Sequence, residues 1–170
     1  MMKGQRKAGG GFDLSEAPSH LMRRCQQFYG DLYTREGGGK ELTKPQFTLL
    51  CALEQNDGVS QTALVEITGI DRSTLAEMVR RMLEKGLLSR ERTEEDQRAN
   101  AVAISPPGRK ALRAARNAAD RAERALLEAL PMPERQKFLK ALTQIAAAAD
   151  QLYTNGQARP RRIARRRKLG

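Results

Sequence analysis

Aromatic side chains are scarce in this 170-residue chain: they make up 4% of it, and tryptophan is absent. Alanine, leucine, arginine and glutamate are plentiful instead, a composition that favours helices because these side chains lose little rotamer freedom there. The two cysteines, Cys25 and Cys51, are too few and too isolated for a disulfide framework, which fits a reducing compartment. No stretch approaches the roughly 18 apolar residues of a spanning helix. The opening residues 1–11 are polar and glycine-rich and lack the apolar run of a secretory signal. The expectation is a cytoplasmic protein with no membrane partner and one domain.

Histidine is scarcer still. His20 stands alone, and no carboxylate–histidine or cysteine–histidine spacing suggests metal binding or nucleophilic catalysis. Gly37-Gly38-Gly39-Lys40 lacks the spaced first glycine and trailing Ser or Thr of a phosphate loop. Glu94-Glu95-Asp96 falls on an exposed tip, a poor place for tuned acids. Neither a metal, a cofactor nor an enzymatic site is expected.

What the chain does have is positive charge, a formal +11. Nucleic acid is the first partner this suggests, since each neutralised phosphate releases counterions. Seven of the positive charges, however, lie between Arg159 and Lys168, so the remainder is only modestly basic. Net charge alone is modest support.

Along the chain, residues 1–14 read as a disordered arm and 156–170 as a basic disordered tail. Between them, 15–155 form one domain. A helical period begins near Ser15, with Leu21, Cys25, Phe28 and Leu32 on one face, and ends at Gly37-Gly38-Gly39. A second helix starts near Thr43, a suitable cap ahead of Pro45, and carries Phe47, Leu50 and Cys51. A short third helix follows Ser60 and ends at Gly69. Asp71 then caps a helix from Arg72 to Lys85 whose apolar stripe is Leu75, Val79, Met82 and Leu83, with Gly86 just past its end.

Two strand-like segments, Leu87–Arg92 and Asn100–Ser105, flank a charged tip and read as a β-ribbon that must lean on the helices. Pro106-Pro107-Gly108 punctuates the chain before a long helix to about Leu130, carrying Leu112, Ala115, Ala119, Ala122, Leu126 and Leu130 on one side. Pro131 and Pro133 break it, and a last helix carries Phe138, Leu142, Ile145, Ala149 and Leu152. These two near-heptad seams call for a helical partner, most economically a second copy of the chain.

Two helices joined by a short glycine-containing turn, then a ribbon, predict a mainly α fold with a small β-wing: a winged helix-turn-helix. The second helix would read the DNA. Arg72, Ser73 and Thr74 open it, where N-terminal residues reach base edges in a major groove about 12 Å wide. Glu77 shares its polar face, with Arg80 and Arg81 further along and better placed for phosphates. Helix starts at Ser60 and Asp71 offer free backbone donors to phosphate. On the wing, Arg90, Arg92 and Arg98 suit a narrow minor groove, and Asp96 can orient Arg98. The plainer alternatives are a helical interaction module with a solvated charged face, or a non-specific architectural DNA-binding protein using the basic tail.

The motifs that tie these elements together resemble one family. Leu42-Thr43-Lys44-Pro45-Gln46-Phe47 is similar to the LTxxQF run of the MarR (multiple antibiotic resistance regulator) family. Asp71-Arg72-Ser73-Thr74-Leu75, Leu83-Glu84-Lys85-Gly86-Leu87-Leu88, Asp96-Gln97-Arg98 and Ile104-Ser105-Pro106-Pro107-Gly108 resemble its recognition helix, helix exit, wing and LTxxG exit. Order and spacing match across roughly residues 18–153, and Gln97 stands at the variable centre of the wing motif. The resemblance implies a homodimer of triangular outline, with dimerisation helices at about 15–36 and 107–155 and DNA-binding lobes at about 43–105. It further implies repression from a pseudo-palindromic operator and release by an effector bound between lobe and dimerisation helices.

Pro18-Ser19-His20-Leu21-Met22-Arg23-Arg24 resembles the PGHLLRR opening of MarR regulators of aromatic-compound catabolism, with Ser19 in place of glycine. That resemblance implies an aromatic carboxylate or CoA thioester as effector. Arg23 or Arg24 could pair the carboxylate, His20 could donate to it, and Phe47 could supply an aromatic wall. Cys25 and Cys51 fall on apolar stripes, where cysteine behaves as a small hydrophobe, so packing rather than oxidant sensing is expected of them. The basic tail could add non-specific DNA affinity.

Overall fold

A computed structural model describes residues 13–37, 42–56, 59–93 and 96–154, with side chains described throughout these except in 91–100, 150 and 152–154. Arg92, Asp96 and Arg98, most of the expected N-terminal arm and the basic tail therefore lie outside what is described in side-chain detail. Asp13 and Leu14, counted with the arm, belong to a 3-10 turn instead: Asp13 accepts a hydrogen bond from the Ser15 N–H at 2.9 Å and starts the turn Leu14–Glu16.

The chain divides into two compact units, Met1–Leu127 and Glu128–Gly170. In the first, α1 (Pro18–Arg35) precedes α2 (Lys44–Gln55), α3 (Gln61–Thr68) and α4 (Arg72–Glu84). The hairpin β1 (Leu88–Thr93) and β2 (Asp96–Ile104) follows, then α5 (Pro106–Glu128). The second unit is described by α6 (Met132–Thr154). Among the described residues no helix is long and apolar enough to cross a membrane.

Local chemistry sets most of these boundaries. Ser60 Oγ accepts from the Ala63 N–H at 3.2 Å and starts α3, and Gln46 Oε1 accepts from the Thr43 N–H at 3.0 Å at the start of α2. Gly69 and Gly86 follow α3 and α4 with φ of +70° and +69°, left-handed conformations that a β-carbon would strain. The tight turn between α3 and α4 depends on the first of these.

Four boundaries differ from the sequence expectation. β2 starts at Asp96 rather than Asn100, with Thr93 paired to Asp96 across an irregularity that begins after Glu91. Ladder bonds use backbone groups alone, so charged side chains that hide the strand pattern do not prevent pairing. Pro106-Pro107-Gly108 is the first turn of α5, not a break ahead of it, because first-turn N–H groups have no intrahelical partner to lose. Pro133 sits in the first turn of α6 for the same reason, and Leu130 falls beyond the end of α5.

The lobe core joins Leu49, Leu50 and Leu53 of α2, Leu64 of α3, Leu75, Val79 and Met82 of α4, Leu88, Val102 and Ile104 of the hairpin, and Leu112 of α5. A second cluster joins Leu32 and Tyr33 of α1 to Ala119 and Ala122 of α5, and Phe47 packs against both clusters. Ser105 locks the α4 exit to the α5 start. Its N–H donates to the Leu87 carbonyl at 3.2 Å, its hydroxyl donates to the Gly86 carbonyl, and its Oγ accepts from the Gly108 N–H at 3.1 Å. A β-carbon on Gly108 would stand 2.0 Å from the Leu87 carbonyl oxygen, so only glycine allows this approach.

The expected α1 stripe is only partly buried. Leu32 is covered, whereas Leu21, Cys25 and Phe28 are exposed, because the alanine face of α5 meets only the C-terminal half of α1. Cys25 therefore does not pack in this chain as expected. Cys51, half-buried against the lobe core, does.

Candidate nucleic-acid interface

Helix α4 turns Leu75, Met78, Val79 and Met82 inward and leaves Arg72, Ser73, Thr74, Arg80 and Arg81 exposed, with Glu77 partly so. Its start is heavily bonded. Asp71 Oδ1 accepts from the Thr74 N–H at 3.0 Å and from the Ser73 hydroxyl at 2.7 Å, while Oδ2 accepts from the Thr74 hydroxyl at 2.7 Å. Arg72 Nη2 donates to Thr62 Oγ1 at 2.9 Å and so bridges α4 to α3. Ser60, Gln61, Thr62, Arg72, Leu75 and Ala76 line an open cavity of about 360 Å³, which brings Ser60 and Arg72 to one groove at the starts of both helices.

Further along, the two arginines are less alike than their spacing suggests. Arg80 donates from Nε and Nη2 to both oxygens of Glu77, at 2.9 and 2.7 Å, and from Nη1 to Glu84. Arg81 makes one such bond, Nε to Glu77 Oε1 at 2.7 Å. Hydrogen bonds from Arg80 and then Arg81 hold the Glu77 carboxyl down to about 2, and Glu77 in turn raises Arg80 above its already high value. All of these groups are exposed, so the pairs add little to stability and can exchange for other anions. On the wing, Arg90 is exposed on β1.

A second polar cluster lies where α1, α2 and α5 meet. The Lys44 ammonium stands 4.5 Å from the centroid of the Tyr29 ring. Burial pushes the Tyr29 phenol well above its ordinary value, reinforced by a hydrogen bond with Glu123, and burial lowers Lys44 against the pull of Glu123. The Tyr33 hydroxyl donates to the Leu42 carbonyl at 3.1 Å, and its ring is 6.1 Å from that of Phe47. Arg121 bonds both the Glu36 carboxylate and its backbone carbonyl, and Arg116 pairs with Glu54. Burial raises the Cys51 thiol although Arg116 opposes it, which disfavours the reactive thiolate.

The structure does not gather the four effector candidates read from the sequence. Phe47 packs beside Tyr33, but Arg24 lies about 14 Å and His20 about 20 Å further along α1 at 1.5 Å per residue. Arg23 and Arg24 are exposed and His20 is half-buried. Lys44, Tyr29 and Glu123 are the groups that sequence reasoning missed. Their separation along the chain leaves no spacing signal, although Lys44 beside Pro45 at a helix start was visible. Among the described residues no group of three or more His, Cys, Asp or Glu could hold a metal.

Comparison with known proteins places this geometry. Residues 42–99 match the MarR family, from the lobe's first helix into the second strand of the wing. The chain is 33% identical to the transcriptional regulator HosA of Escherichia coli over 105 residues, 62% of this chain and 78% of HosA. PcaV, a transcriptional regulator from Streptomyces coelicolor solved with its natural ligand, superposes with a TM-score of 0.73 at 32% identity, covering 83% of this chain and 99% of PcaV. Bordetella bronchiseptica BpsR, whose DNA binding is regulated by 6-hydroxynicotinic acid, gives a TM-score of 0.74 at 26% identity, covering 81% of this chain and 98% of BpsR. The chain is a winged helix-turn-helix, DNA-binding transcriptional regulator rather than an enzyme, and it belongs to the MarR family.

Proposed function

We propose that the chain is a ligand-responsive repressor that binds a pseudo-palindromic operator as a homodimer and is released by an aromatic carboxylic acid or its CoA thioester. The observation that carries the DNA-binding part is the division of α4, with four residues sealed in the lobe core and the opposite face left polar and exposed. On this reading Arg72, Ser73 and Thr74 meet base edges, Ser60 and the α3 start meet phosphate, and Arg80 and Arg81 follow the backbone. Glu77 holds the two arginines. Arg90 approaches the adjoining minor groove, where Arg92 and Arg98, oriented by Asp96, would join it.

The homodimer rests on apolar surface that one chain does not cover: Leu21, Met22 and Phe28 on α1, and Leu139, Leu142 and Ile145 on α6. Two copies would set two α4 helices about 34–36 Å apart, one turn of duplex. Effector release rests on Lys44, a cation partly desolvated against Tyr29, with the half-buried Phe47 supplying an aromatic wall. The regulation of BpsR by 6-hydroxynicotinic acid supports this class of ligand. Because Lys44 opens α2 and α2 fills the lobe core, a carboxylate seated on Lys44 favours one lobe position over another by its differential affinity.

The test is a salt-titrated binding assay with promoter and random duplexes, followed by addition of aromatic acids and CoA thioesters. A regulator shows a specificity ratio of about 10³ or more. Equal affinity for both duplexes would point to an architectural role, and no binding at low salt to a protein-interaction module.

A further inference from the structure

The start of α4 holds a feature that its residue types do not disclose. A serine or threonine hydroxyl has one proton to donate and two lone pairs, so in general it reads either donors or acceptors on a base edge. In this chain both protons are already committed. The Ser73 and Thr74 hydroxyls each donate to the Asp71 carboxylate at 2.7 Å, one to each oxygen, and the Thr74 N–H fixes that carboxylate at 3.0 Å. Bonds from a hydroxyl to an ionised carboxylate are about twice as strong as neutral ones, so turning a proton outward toward DNA gives up the better partner. What remains on the exposed side of both hydroxyls is acceptor only.

We propose that Asp71 sets the polarity of base readout: by taking both hydroxyl protons it makes Ser73 and Thr74 acceptors, which select an exocyclic amino group, adenine N6 or cytosine N4, in the major groove of the half-site. Asp71 is thus a positioning residue. It acts through its neighbours on the DNA and also caps the helix. The inference rests on α4 being the recognition helix, and it adds which chemistry that helix seeks at its first turn. Donors to guanine or thymine then fall to Arg72, whose Nη2 is tied to Thr62 while its other N–H groups carry no such bond to Thr62.

The experiment uses the full-length protein and duplexes selected from a random pool by binding. Positions at which Ser73→Ala or Thr74→Val relaxes the base preference are those the hydroxyls read. At these positions the amino group is deleted by placing purine for adenine, or pyrimidin-2-one for cytosine. Separately, the acceptor is deleted with a 7-deaza purine. The expected result is a loss of about tenfold for the amino-deleted duplex with the natural protein, within the usual cost of a mismatched position. The same change should cost less than about twofold for the hydroxyl-lacking variants, and the 7-deaza duplex should bind normally.

Asp71→Asn supplies the converse, because asparagine caps a helix well but accepts through one oxygen only and donates through its amide. One hydroxyl then regains an outward proton, and the penalty for deleting the amino group should shrink. A 7-deaza penalty in place of an amino penalty, or no relaxed position in either hydroxyl variant, would overturn the proposal. A chain that selects no duplex at all would instead overturn the function on which it rests.

Discussion

The exposed face of α4 and the junction of α1, α2 and α5 both gather charge, but they hold it in opposite ways. On α4 the pairs Arg80–Glu77, Arg80–Glu84 and Arg81–Glu77 are exposed and local in sequence. At the junction Lys44, Tyr29 and Glu123 come from three helices, and burial shifts the first two away from their ordinary behaviour. Exposed pairs are screened by salt and readily exchanged for phosphate. A partly desolvated cation is held at a free-energy cost that a matching anion can relieve. The first arrangement suits reversible contact with a polyanion, and the second suits a small carboxylate.

Breaking the junction should cost most. Tyr33→Ala removes a buried ring and leaves the Leu42 carbonyl without its donor, and should destabilise the fold by about 3–5 kcal/mol in urea denaturation. An equal loss from Ser73→Ala would erase the contrast, since surface changes stay within about 0.5 kcal/mol. Next comes the ligand proposed for the junction. An aromatic acid at about a hundred times its Kd adds about 2.7 kcal/mol to the native state, read as a thermal shift, and Lys44→Met should lose most of it. A shift that persists in Lys44→Met would move the acid elsewhere.

Gly108 stands between the two regions, where α5 leaves the α4 exit. Gly108→Ala drives a β-carbon into the Leu87 carbonyl and should cost about 1–3 kcal/mol, again by urea denaturation. On the α4 face the effects are on DNA rather than on folding. Arg81→Gln should reduce the slope of log affinity against log salt by about one, and Arg80→Gln by less, because Arg80 is engaged by two carboxylates and Arg81 by one. Equal slopes would mean that the pairs dissolve completely on DNA.

The smallest effect is that of pH on Glu77. Its carboxyl is held down to about 2 in the folded chain against an ordinary 4.5. The stability it contributes is therefore present in full above about pH 4.5 and is lost as pH falls through 2. Thermal melts between pH 5 and pH 2 should show a slightly steeper loss for the natural chain than for Glu77→Gln. Parallel curves would show that the ion pairs contribute nothing measurable.

Much of this was legible in the chain. Gly69, Gly86, Ser60 and Asp71 mark helix ends because left-handed turns and orphan N–H groups each demand particular residues, and the α4 stripe follows from helical period alone. The motifs around Leu42, Asp71 and Ile104 carried the family. The early start of β2 was hidden because backbone pairing leaves no mark on charged side chains. The prolines of α5 and α6 misled because a first-turn proline and a helix breaker are the same residue in different places. Arg23, Arg24 and His20 stand on the first half of α1, nine or more residues before Tyr33, the α1 residue whose ring meets Phe47.

By itself the sequence determined which segments are helical, where α3 and α4 stop, and that one helix has a polar face suited to DNA. These are consequences of interactions within a few residues, which the order of side chains specifies directly. Only the tertiary structure decided that Lys44 meets Tyr29 near Glu123, that Arg72 reaches Thr62, and that Ser105 and Gly108 fasten α5 to the exit of α4. Those contacts join groups on separate elements, and their partners are fixed by how the helices pack around a common core rather than by spacing along the chain.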